Sequence, residues 1–281
     1  MKLQNGRMAE STSESPFCHP AILQLISPVM PSFRITLAYD GGPFVGWQRQ
    51  AEGTSIQGLI EDALAELDGR QVTVAGAGRT DAGVHALAQV ASFTLVRDTS
   101  PDVVLRSLNG KLPPEIRVLS AEEVPASFHA RFNATSKRYR YQMWNADVLN
   151  PFERAYVWHV PGPLDLAAMS EAARFVTGRH DFAAFQTVGG SPGPTDRVIA
   201  LSTVTRQKDG LVTYEVEGEG FLRHMVRAIV GTLVDVGRGR RDPEWMRDVI
   251  ASRDRSQAGR TAPAHGLFLV CVGYDSGERR G

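Results

Sequence analysis

The stretch "VTVAGAGRTDAGVHALAQVASFTL", residues 72–95, reads as two β-strands joined by a polar turn. Val72–Ala77 and Ala86–Leu95 carry the β-branched and small apolar residues of strands, and the turn between them holds Arg79, Asp81 and His85 among glycines. Asp-Ala-Gly between strands is ordinary punctuation, in which the carboxylate caps its own backbone and glycine takes a positive φ. Here, however, three glycines and two alanines crowd around one carboxylate, from Gly76 to Gly83. That lets backbone or a flat ligand come close. Arg79 would hold Asp81 ionised if the two side chains converge, as a nucleophile or general base requires.

Outward from the turn, short strands alternate with amphipathic helices. "FRITLAY" (Phe33–Tyr39) alternates apolar and polar residues as a half-buried strand does. In the helix that follows, Thr54 or Ser55 is the N-cap, and Ile56, Leu59, Ile60, Ala63, Leu64 and Leu67 share one face. "SPDVVLRSLNG" is a second helix, with Pro101 near its start and Gly110 past its end. Beyond "IRVLSAEEV" the order recurs: a strand at Lys137–Trp144, a helix near Leu164–Val176, and strands at Arg197–Arg206 and Leu211–Glu217. A long helix at Phe221–Val236, another after Pro243 and a closing strand at Leu267–Tyr274 complete the chain. This order predicts an α+β protein of two similar α/β halves, 33–131 and 132–275. They form a largely antiparallel sheet with helices on one face. The leader, 1–32, contains the polar run "AESTSESP" and is expected to be disordered or loosely attached; Met30 would serve as an alternative start. Residues 276–281 form a tail.

Composition narrows the function classes. Of 281 residues, 42% are hydrophobic, enough for a sizeable core. Thirty-one basic and thirty-one acidic residues cancel, so a nucleic acid would have to be drawn by a local basic surface. Cys18 and Cys271 lie far apart and offer neither a zinc knuckle nor a disulfide framework, which fits a reducing, cytoplasmic compartment. No apolar run approaches the roughly 20 residues of a membrane span. His85, His129, His224 and His265 lack metal-ligand spacing, so no metal is expected.

The helix "FLRHMVRAIVGTLVDV" has an apolar stripe of Phe221, Met225, Ile229, Leu233 and Val236. Arg223 and Arg227 lie a turn apart on the opposite face, followed there by Val230 and Val234. A helix apolar on both sides is mostly buried, which puts these arginines at the edge of a cleft. In "KRYRY", alternation sends Tyr139 and Tyr141 to one side of a strand and Arg138 and Arg140 to the other.

"GAGRTDAGVHA" resembles the signature of the tRNA pseudouridine synthase A family. The likeness continues through "YDGGPFVGWQRQ", "SIQGLIEDAL", "FHARFNATSKRYRY", "GFLRHMVRAIVGTL" and "AHGLFLVCVGY", in the family's order across residues 33–275. The resemblance implies an isomerase that turns uridine into pseudouridine in the anticodon stem-loop of tRNA, without cofactor or metal, as a homodimer with an RNA-binding cleft on the sheet face opposite the helices. It implies that Asp81 is catalytic, that Tyr139 packs on a flipped-out uracil, and that Arg79 helps to flip or hold the base. It further implies that Arg227 lies against the carboxylate and that Leu267 walls the pocket. Arg223, His224, Lys137 and Arg138 are candidate phosphate contacts, and "GRGRRD" and "SRDRS" could extend that basic footprint. Two other classes compete. A non-catalytic RNA-binding module would tolerate Asp81→Asn, and a nucleoside hydrolase would release free uracil.

Overall fold

The structure, a computed structural model, describes residues 30–187, 193–207 and 210–275. Nearly all of the expected leader, and the whole tail, lie outside the described residues. Among these, ten strands form one sheet. The first half contributes β1 (Ser32–Tyr39), α1 (Ile56–Asp68), β2 (Ala75–Gly76), β3 (His85–Thr94), α2 (Pro101–Lys111) and β4 (Ile116–Val124). The second contributes β5 (Ala134–Trp144), β6 (Trp158–His159), α3 (Leu166–Arg174), β7 (Gly178–Asp181), β8 (Asp196–Arg206), β9 (Leu211–Gly218), α4 (Met225–Gly237), α5 (Trp245–Ser252) and β10 (Leu267–Tyr274). No helix of the described residues is long and apolar enough to cross a membrane.

The strand order is β4-β1-β3-β10-β5-β9-β8-β7, with β2 beside β3 and β6 beside β5. Pairing is antiparallel except for β10 with β3 and β5 with β6. The last strand therefore lies between β3 and β5. Phe268 and Leu269 pair with His85 and Ala86 on one side, and Leu267–Tyr274 pairs with Ala134–Tyr141 on the other.

One face of the sheet is apolar and carries helices. Tyr139, Tyr141 and Met143 point to it from β5 beside Val216, Tyr214 and Val212 of β9, all buried in the main core. The opposite face carries cross-strand ion pairs, Arg138 with Glu217 and Arg140 with Glu215.

Several elements differ from the sequence expectation for identifiable reasons. "VTVAGA" forms only the two-residue β2, because α1 side chains occupy the backbone of Val74: Gln57 Nε2 donates to its carbonyl at 3.1 Å and Glu61 Oε1 accepts from its N–H at 3.2 Å. Gly110 lies inside α2 and not past its end, since the buried Leu112 holds the last turn with its N–H on the Leu108 carbonyl at 2.9 Å. The helix expected from Phe221 begins at Met225, because His224 has a left-handed backbone, φ +62°, that an α-helix does not admit.

Candidate active site

The aspartate turn is held from below by residues of two strands. Gln89, fully buried on β3, donates to the Gly78 carbonyl at 2.9 Å, and the Tyr39 hydroxyl of β1 bonds Thr80 Oγ1 at 2.8 Å. Burial pushes the Tyr39 phenol up to about 12, so it stays neutral. From the side, the "YDGGPFVGW" segment is pressed onto the turn. Trp47 N–H bonds the Thr80 carbonyl at 3.0 Å, and Gly46 bridges to Asp81. A Cβ at Gly46 would come 2.7 Å from the Thr80 carbonyl oxygen, and its φ of +111° suits glycine alone. The glycines here serve loop-on-loop contact as much as ligand access: Gly76 leaves space for the Trp47 ring, whereas Gly78 faces Lys137 and the Tyr139 hydroxyl.

Gln89 was not singled out from the sequence, although an amide in the apolar run "ALAQVASF" is a visible signal of a buried polar role. Gln89→Leu should leave the Gly78 carbonyl unsatisfied. It should cost about 1–3 kcal/mol, read as a lower urea midpoint, and reduce turnover by loosening the turn.

Asp81 is partly exposed, and among the described residues both of its side-chain ion-pair contacts are on one oxygen. Arg227 Nη1 and His224 Nε2 each lie 3.4 Å from Oδ2. Arg227 stands in the first turn of α4, and its Nε donates to the Ala262 carbonyl at 2.8 Å. That carbonyl belongs to a segment laid along the helix, where Gly231 admits the Arg260 backbone so closely that a Cβ would sit 1.7 Å from the carbonyl oxygen. Gly259 N–H bonds Thr232 Oγ1 at 2.9 Å, and Ala262 N–H bonds the Arg227 carbonyl at 3.0 Å. The guanidinium is thus fixed from both ends.

Tyr139 is 7% exposed and meets Phe221 edge-on, ring centroids 5.0 Å apart at 79°. Burial raises its phenol well above the ordinary range, and Tyr39 and Asp81 add to this. A base packing on this ring must displace part of its cover, of which Phe221 is the aromatic component. Leu267 is buried opposite Tyr141, and Leu269 is the β10 residue opposite Tyr139. The turn before Leu267 touches the aspartate loop, since a Cβ at Gly83 would meet Ala264 at 3.4 Å.

β5 turns its tyrosines inward to the core and its arginines to the ion-paired face.

The remaining sequence candidates scatter. Arg79 is exposed and makes no ion pair with Asp81, so the simpler of its two expected roles is not realised. Lys137 is half-buried against Gly78, and its ammonium is lowered by burial and then by Arg131. Arg138 donates from Nε and Nη2 to one oxygen of Glu217, Oε2, at 2.8 and 2.6 Å. Arg223 is exposed beside the site. Within "GRGRRD", Arg240 pairs with Asp235 and Arg241 lies over Trp245; with Arg260 they line an open groove of about 520 Å³ that none of the Asp81 cluster touches. His85 is buried between the Gly41 N–H on Nδ1 and the His265 carbonyl at Nε2. Burial lowers it despite the nearby Asp40, which marks a neutral, structural imidazole.

The profile of a family described as tRNA pseudouridine synthase matches residues 35–133 and 172–275. The chain is 49% identical over 248 residues to the tRNA pseudouridine synthase A of Solibacter usitatus, covering 87% of this chain and 100% of that one. To the tRNA pseudouridine synthase A of Myxococcus xanthus it is 45% identical over 248 residues, with 88% and 94% covered. Among solved structures, it matches a chain of an archaeal box H/ACA sRNP Nop10–Cbf5 complex with 14% identity and a TM-score of 0.33, over 73% of this chain and 44% of the other. The chain thus spans under half of that solved chain's length.

Proposed function

The chain belongs to the tRNA pseudouridine synthase family, and from that premise we propose how its residues divide the work and which part of tRNA they address. The enzyme is an isomerase that converts uridine in tRNA to pseudouridine. The reaction breaks the bond from ribose C1′ to uracil N1, makes one from C1′ to C5, moves the C5 hydrogen out as a proton and returns a proton to N1.

In the proposed reading Asp81 supplies the electron pair that carries the intermediate between the two bonds, by attack or by proton removal. What supports this most is the convergence of Arg227 and His224 on one oxygen of Asp81, with no side-chain hydrogen bond or ion pair to the other oxygen among the described residues. The target uridine is flipped from its stack and held on Tyr139 after Phe221 yields, with Leu267 as a wall. Arg79, exposed at the rim, holds the displaced base or its backbone. Lys137 and Arg223 face phosphates, Arg138 only through what Glu217 leaves free. The halves 33–131 and 132–275 each bring one side of the cleft.

The family resemblance extends the reading to the anticodon stem-loop and to a cytoplasmic homodimer, which sedimentation equilibrium would record as twice the chain mass. The decisive test uses tRNA tritiated at uridine C5. The wild-type protein should release tritium to water while the base stays in the polymer, and replacing the anticodon-arm uridines with cytidine should abolish that release. Free uracil in the supernatant, or no release, would overturn the reading.

A further inference from the structure

We propose that His224 is a positioning residue for the isomerisation: held by Thr187, it directs an N–H at Asp81 Oδ2, so that Oδ1 is the oxygen presented to the nucleotide. The inference rests on the reading of Asp81 given above and deepens it.

The chain of contacts runs one way. Thr187 Oγ1 lies 2.8 Å from His224 Nδ1, and His224 Nε2 lies 3.4 Å from Asp81 Oδ2. If the threonine hydroxyl donates to Nδ1, the proton of a neutral ring sits on Nε2, the nitrogen 3.4 Å from the carboxylate oxygen. The neutral state follows from the surroundings. Burial lowers His224 first; Asp81 opposes it, and Arg227, Arg223 and the nearby Arg255 reinforce it. These are the charged groups that bear on the ring from the aspartate turn, from its own segment and from the turn at residues 255–257. A neutral donor does not add a third full charge beside two arginines. It can still orient the carboxylate, and a 3.4 Å contact can tighten once substrate is bound.

The backbone points the same way. Among the described residues only His224 and Arg253 combine a side chain with a positive φ. Glycine or asparagine would adopt φ +62° more readily, yet a histidine stands there, immediately before the helix that carries Arg227. Strain at this point is maintained by packing, and what it achieves is the aim of the imidazole at Asp81. Because Arg227 and His224 approach the same oxygen, the carboxylate is restrained in rotation.

The test compares His224→Ala, His224→Gly and His224→Gln in single-turnover tritium release, with tRNA titration and thermal melting on the same samples. Glycine relieves the backbone and keeps the test valid should alanine fold poorly. Gln extends its amide N–H to about where Nε2 lies. We expect the rate for Ala and Gly to fall by roughly 10- to 100-fold with KM for tRNA changed less than about 3-fold. Melting of the Gly variant should be unchanged or raised, and Gln should recover most of the rate. The inference is overturned if Gly retains the wild-type rate, if the loss lies in KM alone, or if Gln is as slow as Ala while melting normally. Wild-type release in parallel separates these outcomes from a failure of the isomerase reading itself.

Discussion

Asp81→Asn should reduce tritium release from C5-labelled tRNA on the order of 1000-fold or more while leaving the protein folded and able to bind tRNA. The substitution keeps the shape of the side chain and an oxygen for Arg227, and removes the electron pair and charge that the isomerisation uses. The fold should tolerate it because the Asp81–Arg227 contact is 3.4 Å long, with the carboxylate side chain 29% exposed. Pairs of that kind contribute little to stability, and Arg227 retains its bond to the Ala262 carbonyl. Binding should change less than about 3-fold, because backbone phosphates supply most of the affinity for RNA. Single-turnover release, filter binding and a melting curve on one preparation check all three. Release at the wild-type rate would eliminate Asp81 as the reacting group, whereas loss of binding and melting together would show that the turn depends on the charge for its structure.

The regular elements were legible because their periodicity is strong. β10 spans Leu267–Tyr274, as its apolar run implied, and α1 begins after the Ser55 cap, whose hydroxyl accepts from the Gly58 N–H. What failed were places where side chains replace backbone partners. Val74 carries a β-branched side chain and still leaves the ladder, because Gln57 and Glu61 satisfy its N–H and carbonyl, and no local propensity encodes that. The candidate site was legible unevenly for a related reason. Arg227 was tied to Asp81 by a motif, and its guanidinium lies 3.4 Å from the carboxylate. Arg79 was linked to Asp81 by nearness in sequence, but two residues along this turn the arginine side chain is out in solvent. His224 was assigned to phosphates as one basic residue among several. Its left-handed backbone swings the ring out of the helical pattern and toward the carboxylate, and a positive φ on a histidine leaves no mark in a sequence. Thr187, its other partner, lies outside every quoted motif.

Arg227 tests whether charge alone or fixed geometry serves Asp81. Its guanidinium is used at two atoms: Nε binds the Ala262 carbonyl at 2.8 Å, and Nη1 reaches Asp81 at 3.4 Å. A lysine ammonium is a single point on a flexible stem and cannot reproduce both contacts, so the exchange is not conservative here. Arg227→Gln removes the charge and one arm. We expect it to slow single-turnover release roughly 100- to 1000-fold, the range seen when one preorganised donor is taken from a reacting oxygen. Arg227→Lys restores the charge without the anchor and should recover no more than about a tenth of the wild-type rate. Its ammonium is free to swing toward Tyr141 or solvent, and Oδ2 is then left to His224 alone. Both variants should bind tRNA within about 3-fold of wild type, because the Arg227 side chain is only 15% exposed and its guanidinium lies against the carboxylate. Lysine at the wild-type rate would show that a positive charge in the vicinity is sufficient. The anchored segment at residues 258–263 would then hold α4 for stability, and the aim of the carboxylate would fall to His224.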